Sequence, residues 1–475
     1  MIHSWKTYFN SIEKIFSLST PDNLSIEKMN HQNGHIDAER NDAQKDFYQI
    51  LAERTKGEIY ESSFDFISKA TQEMQERRSF NTFDLADVLM KVQMWKQKMP
   101  YIRPFYAVKT NSDPVLLKLL VLLGFSFDCA SEGEIRFVLE AGGDPKNIIF
   151  AHVIKPPGAL LYAASVGVDL MTFDSKEELL KINKLYPQSR LLLRLSPQDV
   201  KCSFDLSDKF GCDVKEAEDV LTFAKNLNLN VIGISFHVGG LCQNSHSYAA
   251  TIRASRDVFE LGKQLGFEFT ILDIGGGFTG SKGSEKLFNE ISQVIKSNLK
   301  EYFSETDIEI IAEPGTFFAC SAVSLTTAIC GKKERNIQYN GTNPIRRFYY
   351  LNDSIYGSFF HGVEQYGFVL KPLLNELELR QRPVYSSTLW GQTCCGEDLL
   401  LKEHMLPDME EGECIVWENM GAYCRVICST FCGVPLPAAK YIFINNPRLN
   451  MEWLNNSSDV VDFLSRTCSL VEKEW

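Results

Sequence analysis

The stretch PFYAVKTNSDPVLLKLLVLLGFSFDCASEGEIRFVLEAGG, residues 104–143, alternates between two hydrophobic patterns. The short apolar runs PFYAVK and FSFDCA have the length and composition of strands. The segments that follow them, DPVLLKLLVLLG and EGEIRFVLEAGG, have the pattern of helices, and the second ends on two glycines. A strand followed by a helix and by another strand is the repeating unit of folds with a parallel sheet.

The same alternation continues toward the C-terminus as far as about residue 317. The segments predicted to be its strands are YAVK, FDCA, IIFAH, LMTFD, LLLRL, GISFHV, ILDIGGG and EIIAEPG. Eight strands that alternate with helices predict an α/β fold, a (β/α)8 TIM barrel, which we place at residues 83–322.

Beyond the barrel the pattern changes to strands without long helices between them. The predicted strands are SAVSLTTAICGKKE, RRFYYLND, VYSSTLWG, ECIVWENMGAY and AKYIFINN. We expect an all-β domain built from residues 48–82 and 323–445. The polar residues 1–46 are expected to be a mobile N-terminal tail, and 446–475 a C-terminal tail.

Composition excludes several classes of function. The 475 residues carry a net charge of −12, which argues against nucleic acid or an anionic membrane as the main partner. The first residues, MIHSWKTYFNSIEKIF, lack an uninterrupted apolar run, so a cytoplasmic location is expected. The thirteen cysteines are then expected to be mostly buried free thiols. No metal site is expected, because no histidine stands near the cysteines of CRVICSTFC.

Six of the predicted barrel strands end on a polar residue or on glycines. A single ending of this kind is usually a surface feature. In barrels of this type, however, chemistry gathers at the carboxyl ends of the strands, so six endings around one mouth predict a site. They are Lys109, Asp128, Arg194, His237, the glycine run Gly275, Gly276 and Gly277, and Glu313.

These residue types suit a cofactor that carries a carbonyl and a phosphate group. Burial among the apolar residues of PFYAVKTN is expected to lower the pKa of Lys109 and make its amine nucleophilic. The glycines of DIGGGF leave backbone N–H groups open to a phosphate. Glu313 could pair with a pyridine nitrogen and His237 could stack on the ring. Together they suggest pyridoxal phosphate, although Lys109 or His237 alone would more often be a surface lysine or a core histidine.

Eight motifs also occur in a recognisable order: PFYAVKTN, FDCAS, FHVGG, LDIGGGF, AEPG, NDSIYGSF, WGQTC and ENMGAY. In their order and spacing, over roughly residues 80–445, the chain resembles the eukaryotic ornithine decarboxylase family of barrel-type pyridoxal-phosphate decarboxylases. That family also contains antizyme inhibitors, which keep the fold and have lost catalysis. The resemblance therefore implies the fold and the cofactor, whereas catalytic activity depends on which individual residues the chain retains.

The resemblance implies a role for each matched residue. Lys109 binds the cofactor covalently, and His237 stacks on its ring. Glu313 pairs with the pyridine nitrogen, and Tyr423 in ENMGAY hydrogen-bonds the phosphate. Cys394 in WGQTC returns a proton to the substrate carbon after carbon dioxide leaves, across a head-to-tail homodimer with shared active sites. The remaining matches lie around the cofactor: Asp128, Glu134, Arg194, Gly275, Gly276 and Gly277.

The chain departs from the family at both ends of the site. At the phosphate end Thr316 replaces an arginine, and Gly240-Leu241 replaces a serine and a glycine, so weaker phosphate binding is expected. At the substrate end Cys395 replaces an aspartate that holds the far amine. Gln365 or Glu364 takes the place of a second aspartate.

Loss of these carboxylates predicts a changed amino-acid substrate. Breaking a buried ion pair costs about 3–5 kcal/mol, or roughly two to three and a half decades of affinity. A pocket with Cys395 in it suits a neutral aliphatic amino acid such as leucine better than ornithine. Glu364 leaves open a route by which a cationic substrate is still held.

Two alternatives remain open. One is an ornithine decarboxylase that makes putrescine for polyamine biosynthesis with relocated substrate ligands. The other is a catalytically inactive, antizyme inhibitor-like protein, with antizyme as its partner. Leu161 replaces a lysine expected at the antizyme-facing surface, which weakens that reading. The retention of Lys109, Glu313, Cys394 and the other matched residues favours an enzyme.

Overall fold

A computed structural model describes residues 59–74, 78–199, 202–304, 307–336, 345–360, 367–450 and 458–468. The predicted N-terminal tail at residues 1–46 and both Glu364 and Gln365 lie outside these described residues.

The elements are, in chain order, α1 (Ser63–Glu73), β1 (Phe80–Asp84), α2 (Leu85–Lys98), β2 (Ile102–Ala107), α3 (Pro114–Leu122), β3 (Ser126–Cys129), α4 (Glu132–Glu140), β4 (Ile148–Phe150), α5 (Pro157–Val166), β5 (Leu170–Phe173), α6 (Lys176–Leu185), β6 (Arg190–Leu195), β7 (Cys202–Phe204), α7 (Ala217–Asn226), β8 (Asn230–Phe236), β9 (Gly240–Cys242), α8 (His246–Gln264), β10 (Ile271–Asp273), α9 (Glu285–Phe303), β11 (Glu309–Ala312), α10 (Thr316–Ala319), β12 (Val323–Asn336), β13 (Ile345–Leu351), β14 (Val369–Pro372), α11 (Glu376–Gln381), β15 (Val384–Trp390), β16 (Leu399–Pro407), β17 (Cys414–Glu418), β18 (Ala438–Ile442) and α12 (Ser458–Cys468).

Eight parallel strands close into a barrel in the order β10-β11-β2-β3-β4-β5-β6-β8. This confirms the predicted TIM barrel. Because side chains alternate along a strand, one set points into the barrel and the next toward the surrounding helices. The inner set forms a buried cluster of its own, with members on six different strands: Phe105, Ile149, Leu170, Leu192, Ile271 and Ile311.

Helix caps fix the chain where two of the barrel strands lead into helices. Asp113 precedes Pro114 at the start of α3, and its carboxylate accepts the backbone N–H groups of Val115 and Leu116. Ser131 caps α4 in the same way through the N–H of Glu134. These caps set the direction in which the chain leaves the mouth of the barrel, next to Lys109 and Asp128.

The second domain is the expected all-β unit. Its sheet has eight strands, with the path β14-β17-β12-β13-β15-β16 and with β1 paired to β12 and β18. Strand β1, which precedes the barrel, therefore joins strands that follow it. Helix α1 buries Phe66, Ile67 and Ala70 against this sheet.

Two features were not among the sequence-based expectations. The short strands β7 and β9 form a separate antiparallel pair at the barrel mouth. Within the segment expected to be a C-terminal tail, α12 is a helix whose residues Val460, Phe463 and Leu464 are buried, and it contacts α3 and β18. Among the described helices, none is long and apolar enough to cross a membrane.

Candidate active site

Lys109 and Asp128 form an ion pair at the mouth of the barrel. Lys109 follows β2 in a short 3-10 turn, and Asp128 lies on the neighbouring strand β3, fully buried. The expectation that burial lowers the pKa of Lys109 is wrong for this structure. Burial does oppose the charged amine, but the carboxylates of Asp128 and Glu313 outweigh it and raise the pKa above its ordinary value.

Glu313 and Asp273 are two buried acids on adjacent strands. Burial, the charge of Asp273 and the charge of Asp128 raise the pKa of Glu313 well above its usual range. Burial also raises the pKa of Asp273 to about 6, although it accepts hydrogen bonds from Gly275 N (2.9 Å) and Ser235 Oγ (3.1 Å). The two carboxyls are hydrogen-bonded to each other, so they titrate as a pair.

Two further predicted residues border the ion pair. Glu134 accepts the backbone N–H of Ala130 at 2.7 Å, and burial raises its pKa to about 7, against the opposing charge of Lys109. Arg194 lies over the ring of Phe210, 5.1 Å from the ring centroid. Burial lowers the pKa of Arg194, whereas Glu313 and nearby aspartates oppose that shift. The mouth thus concentrates both signs of charge in a small, largely buried volume.

His237 is a neutral imidazole beside the glycine run. Burial, followed by the charges of Arg194 and Lys109, lowers its pKa well below the ordinary value. Its Nδ1 accepts the backbone N–H of Gly239 at 3.0 Å, which leaves the proton on Nε2. A Cβ at Gly276 would lie 2.7 Å from that Nε2 and 2.8 Å from the carbonyl oxygen of Glu313. Glycine at 276 therefore lets the chain pass between the two residues.

The predicted residues converge on one cleft, but not all of them line it. The residues that line the cleft are Ala107, Lys109, Phe204, His237, Gly240, Leu241, Gly276, Gly277, Phe278, Glu313, Gly315, Thr316 and Tyr423. Four predicted residues do not line the cleft: Asp128, Glu134, Arg194 and Gly275. The charges of Asp128 and Glu134 raise the pKa of Lys109, and that of Arg194 lowers the pKa of His237. Leu241 has a φ of 51°, a left-handed backbone that a leucine rarely adopts. The two departures at the phosphate end, Thr316 and Gly240-Leu241, thus lie in the cleft itself.

A loop of the β domain completes the cleft. The backbone N–H of Tyr423 donates to the carbonyl of Thr110 at 2.9 Å. The side-chain amide of Asn111 donates to the carbonyl of Gly421 at 2.9 Å. These bonds hold the predicted phosphate-binding tyrosine against the turn that carries Lys109.

The described side chains fit pyridoxal phosphate on three structural grounds. A lysine amine faces the cleft, and the glycine run leaves no room for side chains at its wall. Two buried carboxyl oxygens, Asp128 Oδ1 and Glu313 Oε1, have no hydrogen-bond partner among the described residues. Unmet acceptors at this depth are costly unless a ligand meets them. A protonated ring nitrogen and a ring hydroxyl are groups of the kind that would do so.

The cysteines of WGQTCC lie elsewhere in the described chain, in the β domain. Cys394 is exposed, and neither it nor Cys395 is among the residues that line the cleft of the same chain. The Sγ of Cys395 is 3.0 Å from the hydroxyl oxygen of Tyr356, and this contact raises the pKa of Tyr356 to about 12. Asp398 anchors the loop by accepting the backbone N–H (3.0 Å) and the hydroxyl (2.6 Å) of Thr393.

Sequence reasoning missed Asp273 and Tyr356. Asp273 stands in LDIGGGF directly before the glycines, so an acid at the end of an apolar strand was the available signal. Tyr356 stands in NDSIYGSF, but no pattern in the sequence links it to Cys395, 39 residues later.

Comparison with known proteins gives a consistent result. The model of the family "Pyridoxal-dependent decarboxylase, pyridoxal binding domain" matches residues 85–320. The chain is 39% identical to antizyme inhibitor 2 of Xenopus laevis over 396 residues, 80% of this chain and 87% of that protein. It is 39% identical to ornithine decarboxylase of Rattus norvegicus, covering 77% and 81%. The structure of Paramecium bursaria Chlorella virus arginine decarboxylase bound to agmatine superposes with a TM-score of 0.74 at 33% identity, covering 80% and 100%.

Proposed function

We propose that this chain, which belongs to the ornithine, arginine and lysine decarboxylase family of pyridoxal phosphate-dependent enzymes, decarboxylates a neutral aliphatic amino acid such as leucine. The observation that carries the proposal is the contact between Cys395 Sγ and the hydroxyl of Tyr356. A thiol and a phenol stand where the resemblance places a carboxylate for the far amine of a diamino acid.

The cofactor end supports an active enzyme. Lys109 would hold pyridoxal phosphate covalently, Glu313 would meet its ring nitrogen, and His237 would lie against the ring. Tyr423 and the glycine run would face its phosphate. When bound, the cofactor supplies an electron sink for the pair of electrons left as carbon dioxide departs. The chain's own contribution is to orient the substrate and to hold buried charges in place before the reaction begins.

Two buried carboxylates near Cys395 are already engaged, which supports a neutral substrate, while a third, that of Glu397, is exposed and acts on Tyr356 through its charge. Asp398 accepts hydrogen bonds from Ile355 N (3.0 Å) and from Thr393, with its two oxygens divided between them. Asp353 likewise accepts the N–H and hydroxyl of Ser358. Turning either acid toward an ammonium would break bonds that hold its loop. A far amine placed beside Cys395 would therefore have neither of these two acids as its partner, and an ion pair with the exposed Glu397 would be worth no more than about 1 kcal/mol.

Cys394 is the proposed donor of the proton that the substrate α-carbon takes up after carbon dioxide leaves. Its place outside the cleft of its own chain supports a homodimer in which it serves the partner's cleft. In that arrangement each active site is shared, as the resemblance implies, and the monomer is inactive. We further propose a cytoplasmic location, on the sequence evidence alone.

Replacement of Cys395 tests the substrate proposal. Cys395→Asp restores a carboxylate, so the ratio of kcat/KM for ornithine to that for leucine should rise roughly 100-fold or more. Cys395→Asn is the matched control, because it adds a polar group of similar size without charge, and its ratio should change far less. A wild-type protein that already prefers ornithine, with no further gain in Cys395→Asp, would contradict the proposal. It would favour the ornithine decarboxylase alternative, with Glu364 as the ligand.

A second candidate function is binding of antizyme without catalysis. The 39% identity to antizyme inhibitor 2 favours it, as do the changes at the phosphate end. Against it, Leu161 on α5 is 52% exposed where the resemblance places a lysine. Two measurements separate the candidates: carbon dioxide release with saturating cofactor, and release of ornithine decarboxylase from its complex with antizyme. Release of the bound enzyme without any decarboxylation would establish the inhibitor.

A further inference from the structure

We propose that Cys394 and Cys432 form a reversible disulfide, so that this thiol pair is a site of oxidative modification. Their Sγ atoms lie 3.6 Å apart, although the residues are 38 positions apart in the chain. Both side chains are exposed in the single chain. In the proposed homodimer Cys394 faces the partner's cleft, so a small oxidant reaches it by the path that the substrate takes. The inhibitory consequence of the disulfide rests on the proposed function, because only there does Cys394 deliver a proton. The disulfide itself does not depend on that role.

Exposure and pairing set these two thiols apart from the rest. Of the thirteen cysteines only Cys330, Cys394 and Cys432 are exposed. Cys330 lies on β12, and its Sγ has a backbone carbonyl, that of Ala328, as its partner at 3.8 Å. Oxidation is selective for accessible thiols, and a second thiol within reach converts the first product into a disulfide. Of the three exposed thiols, only Cys394 and Cys432 each have a second exposed thiol within reach.

Tyr356 holds the two cysteine loops together. Its hydroxyl oxygen is 3.0 Å from the Sγ of Cys395, which follows Cys394. Its ring lies 4.7 Å, centroid to centroid, from the ring of Phe431, which precedes Cys432. A single side chain therefore positions the neighbours of both thiols.

The sulfur atoms need to move only a little to bond. A disulfide requires about 2.05 Å between them, so the pair must approach by about 1.5 Å. The Cys394 side is anchored, since Thr393 bonds to Asp398. Cys432 lies in an exposed turn with a φ of 58°, and rotation of its side chain on that turn supplies most of the approach.

The chemistry balances with a hydroperoxide as oxidant. One thiolate attacks the outer peroxide oxygen, which forms a sulfenic acid and releases an alcohol, or water from hydrogen peroxide. The second thiolate then attacks that sulfur and displaces water. The two sulfurs together lose two electrons, the peroxide gains them, and both thiol protons end in the released hydroxyl compounds. A dithiol reductant reverses the change by exchange.

Mass spectrometry on the whole protein tests the proposal without reference to activity. After brief treatment with hydrogen peroxide, digests should contain a peptide pair joined through Cys394 and Cys432, and a dithiol should remove it. Alkylation of Cys394 should fall at least tenfold, while alkylation of Cys330 stays unchanged. Cys432→Ser should abolish the joined peptide, whereas Cys395→Ser should retain it.

Two results would overturn the proposal: Cys394 joined to Cys395 in the wild type, or Cys394 that remains as open to alkylation as Cys330. The activity assay is a separate arm of the experiment. If the disulfide forms and the protein has no decarboxylase activity before oxidation, the modification site stands and the proposed function fails. If activity is present and no disulfide forms, the reverse holds.

Discussion

The barrel mouth and the cysteine loop differ in how each holds its reactive groups. At the mouth, Asp128 and Glu313 are buried at or just past strand ends, and the side chain of Lys109, which is 34% exposed, pairs with Asp128. In the loop, Cys394 and Cys395 are exposed or partly exposed, and Cys395 has a neutral phenol as its neighbour. The mouth holds the groups expected to bind a pyridoxal cofactor, while in the loop Cys395 stands where the resemblance implies a carboxylate for a diamino acid.

The difference shows which part of such a site can change. Each charge at the mouth is balanced by others on neighbouring strands, so removing one leaves a buried partner uncompensated. The loop is fixed instead by Asp398, which bonds to Thr393 and Ile355 and not to Cys395. The residue at 395 can therefore vary without loss of the loop. Substrate specificity can change at a position whose side chain is not needed to hold the surrounding loop.

The largest expected effect is at the mouth. Lys109→Ala removes the group proposed to bind the cofactor covalently, so kcat should fall about 10³-fold or more. The visible absorption band of protein with bound cofactor should also disappear. Carbon dioxide release and an absorption spectrum are the measurements, with Lys184→Ala, an exposed lysine on α6, as the control. Full activity in Lys109→Ala would show that Lys109 at the barrel mouth takes no part in the reaction.

The next effect concerns the phosphate end, where the mouth itself departs from the family. Thr316→Arg restores a charged fork at a position that lines the cleft. Hydrogen bonds to a charged group are worth about 1.5–3 kcal/mol, so the Kd for pyridoxal phosphate should fall roughly 10- to 100-fold. Fluorescence titration measures it, and Thr316→Met controls for side-chain length alone. Equal affinity in the two variants would show that the phosphate does not lie beside residue 316.

A smaller effect is expected from the glycine between His237 and Glu313. Gly276→Ala places a Cβ 2.7 Å from His237 Nε2, so the free energy of unfolding should fall by about 1–3 kcal/mol. At Gly158 on α5 a Cβ meets nothing within 4 Å, and Gly158→Ala should leave stability unchanged or raise it. Denaturant unfolding of both variants checks the contrast. Equal stability would mean that the mouth is less closely packed than the structure shows.

The smallest effect is on pH dependence. The pKa of Glu134 is raised to about 7, above its unfolded value, so the folded state binds the proton more tightly. Its contribution therefore favours folding below about pH 4.5 and is lost as pH rises toward 7. In protein without cofactor, Glu134→Gln should remove that loss, which is on the order of 1 kcal/mol. The free energy of unfolding, measured at pH 5 and at pH 8, gives the difference. An identical change between the two pH values in wild type and variant would show that Glu134 is ionised throughout.

Much of the barrel was predictable because its signals are local. Each strand is a short apolar run before a helix, and its last residues are those that reach the mouth, so Asp128 and Glu313 could be placed from the sequence. The pKa of Lys109 could not, because it depends on a carboxylate from the next strand rather than on burial alone. Strands β7 and β9 were missed because they are short and pair with each other, outside the alternation of strand and helix that marks the barrel.

The loop was less predictable because its contacts are distant in sequence. Cys395 could be recognised as a substitution, but its contact with Tyr356 and the approach of Cys394 to Cys432 join segments 39 and 38 residues apart. Helix α12 was likewise assigned to a tail, because its apolar residues are scattered among polar ones. Val460, Phe463 and Leu464 nevertheless have the i, i+3, i+4 spacing of one helix face, so a signal was available, and packing against α3 and β18 shows that this face is buried.

A competition experiment tests the proposed substrate most directly. Protein saturated with pyridoxal phosphate receives equal concentrations of leucine and ornithine, and the amines formed, 3-methylbutylamine and putrescine, are quantified together. Their initial ratio equals the ratio of the two kcat/KM values. We expect 3-methylbutylamine to exceed putrescine by about 100-fold or more, since the far amine of ornithine meets Cys395 and Tyr356 in place of a carboxylate. Putrescine as the main product would contradict the claim.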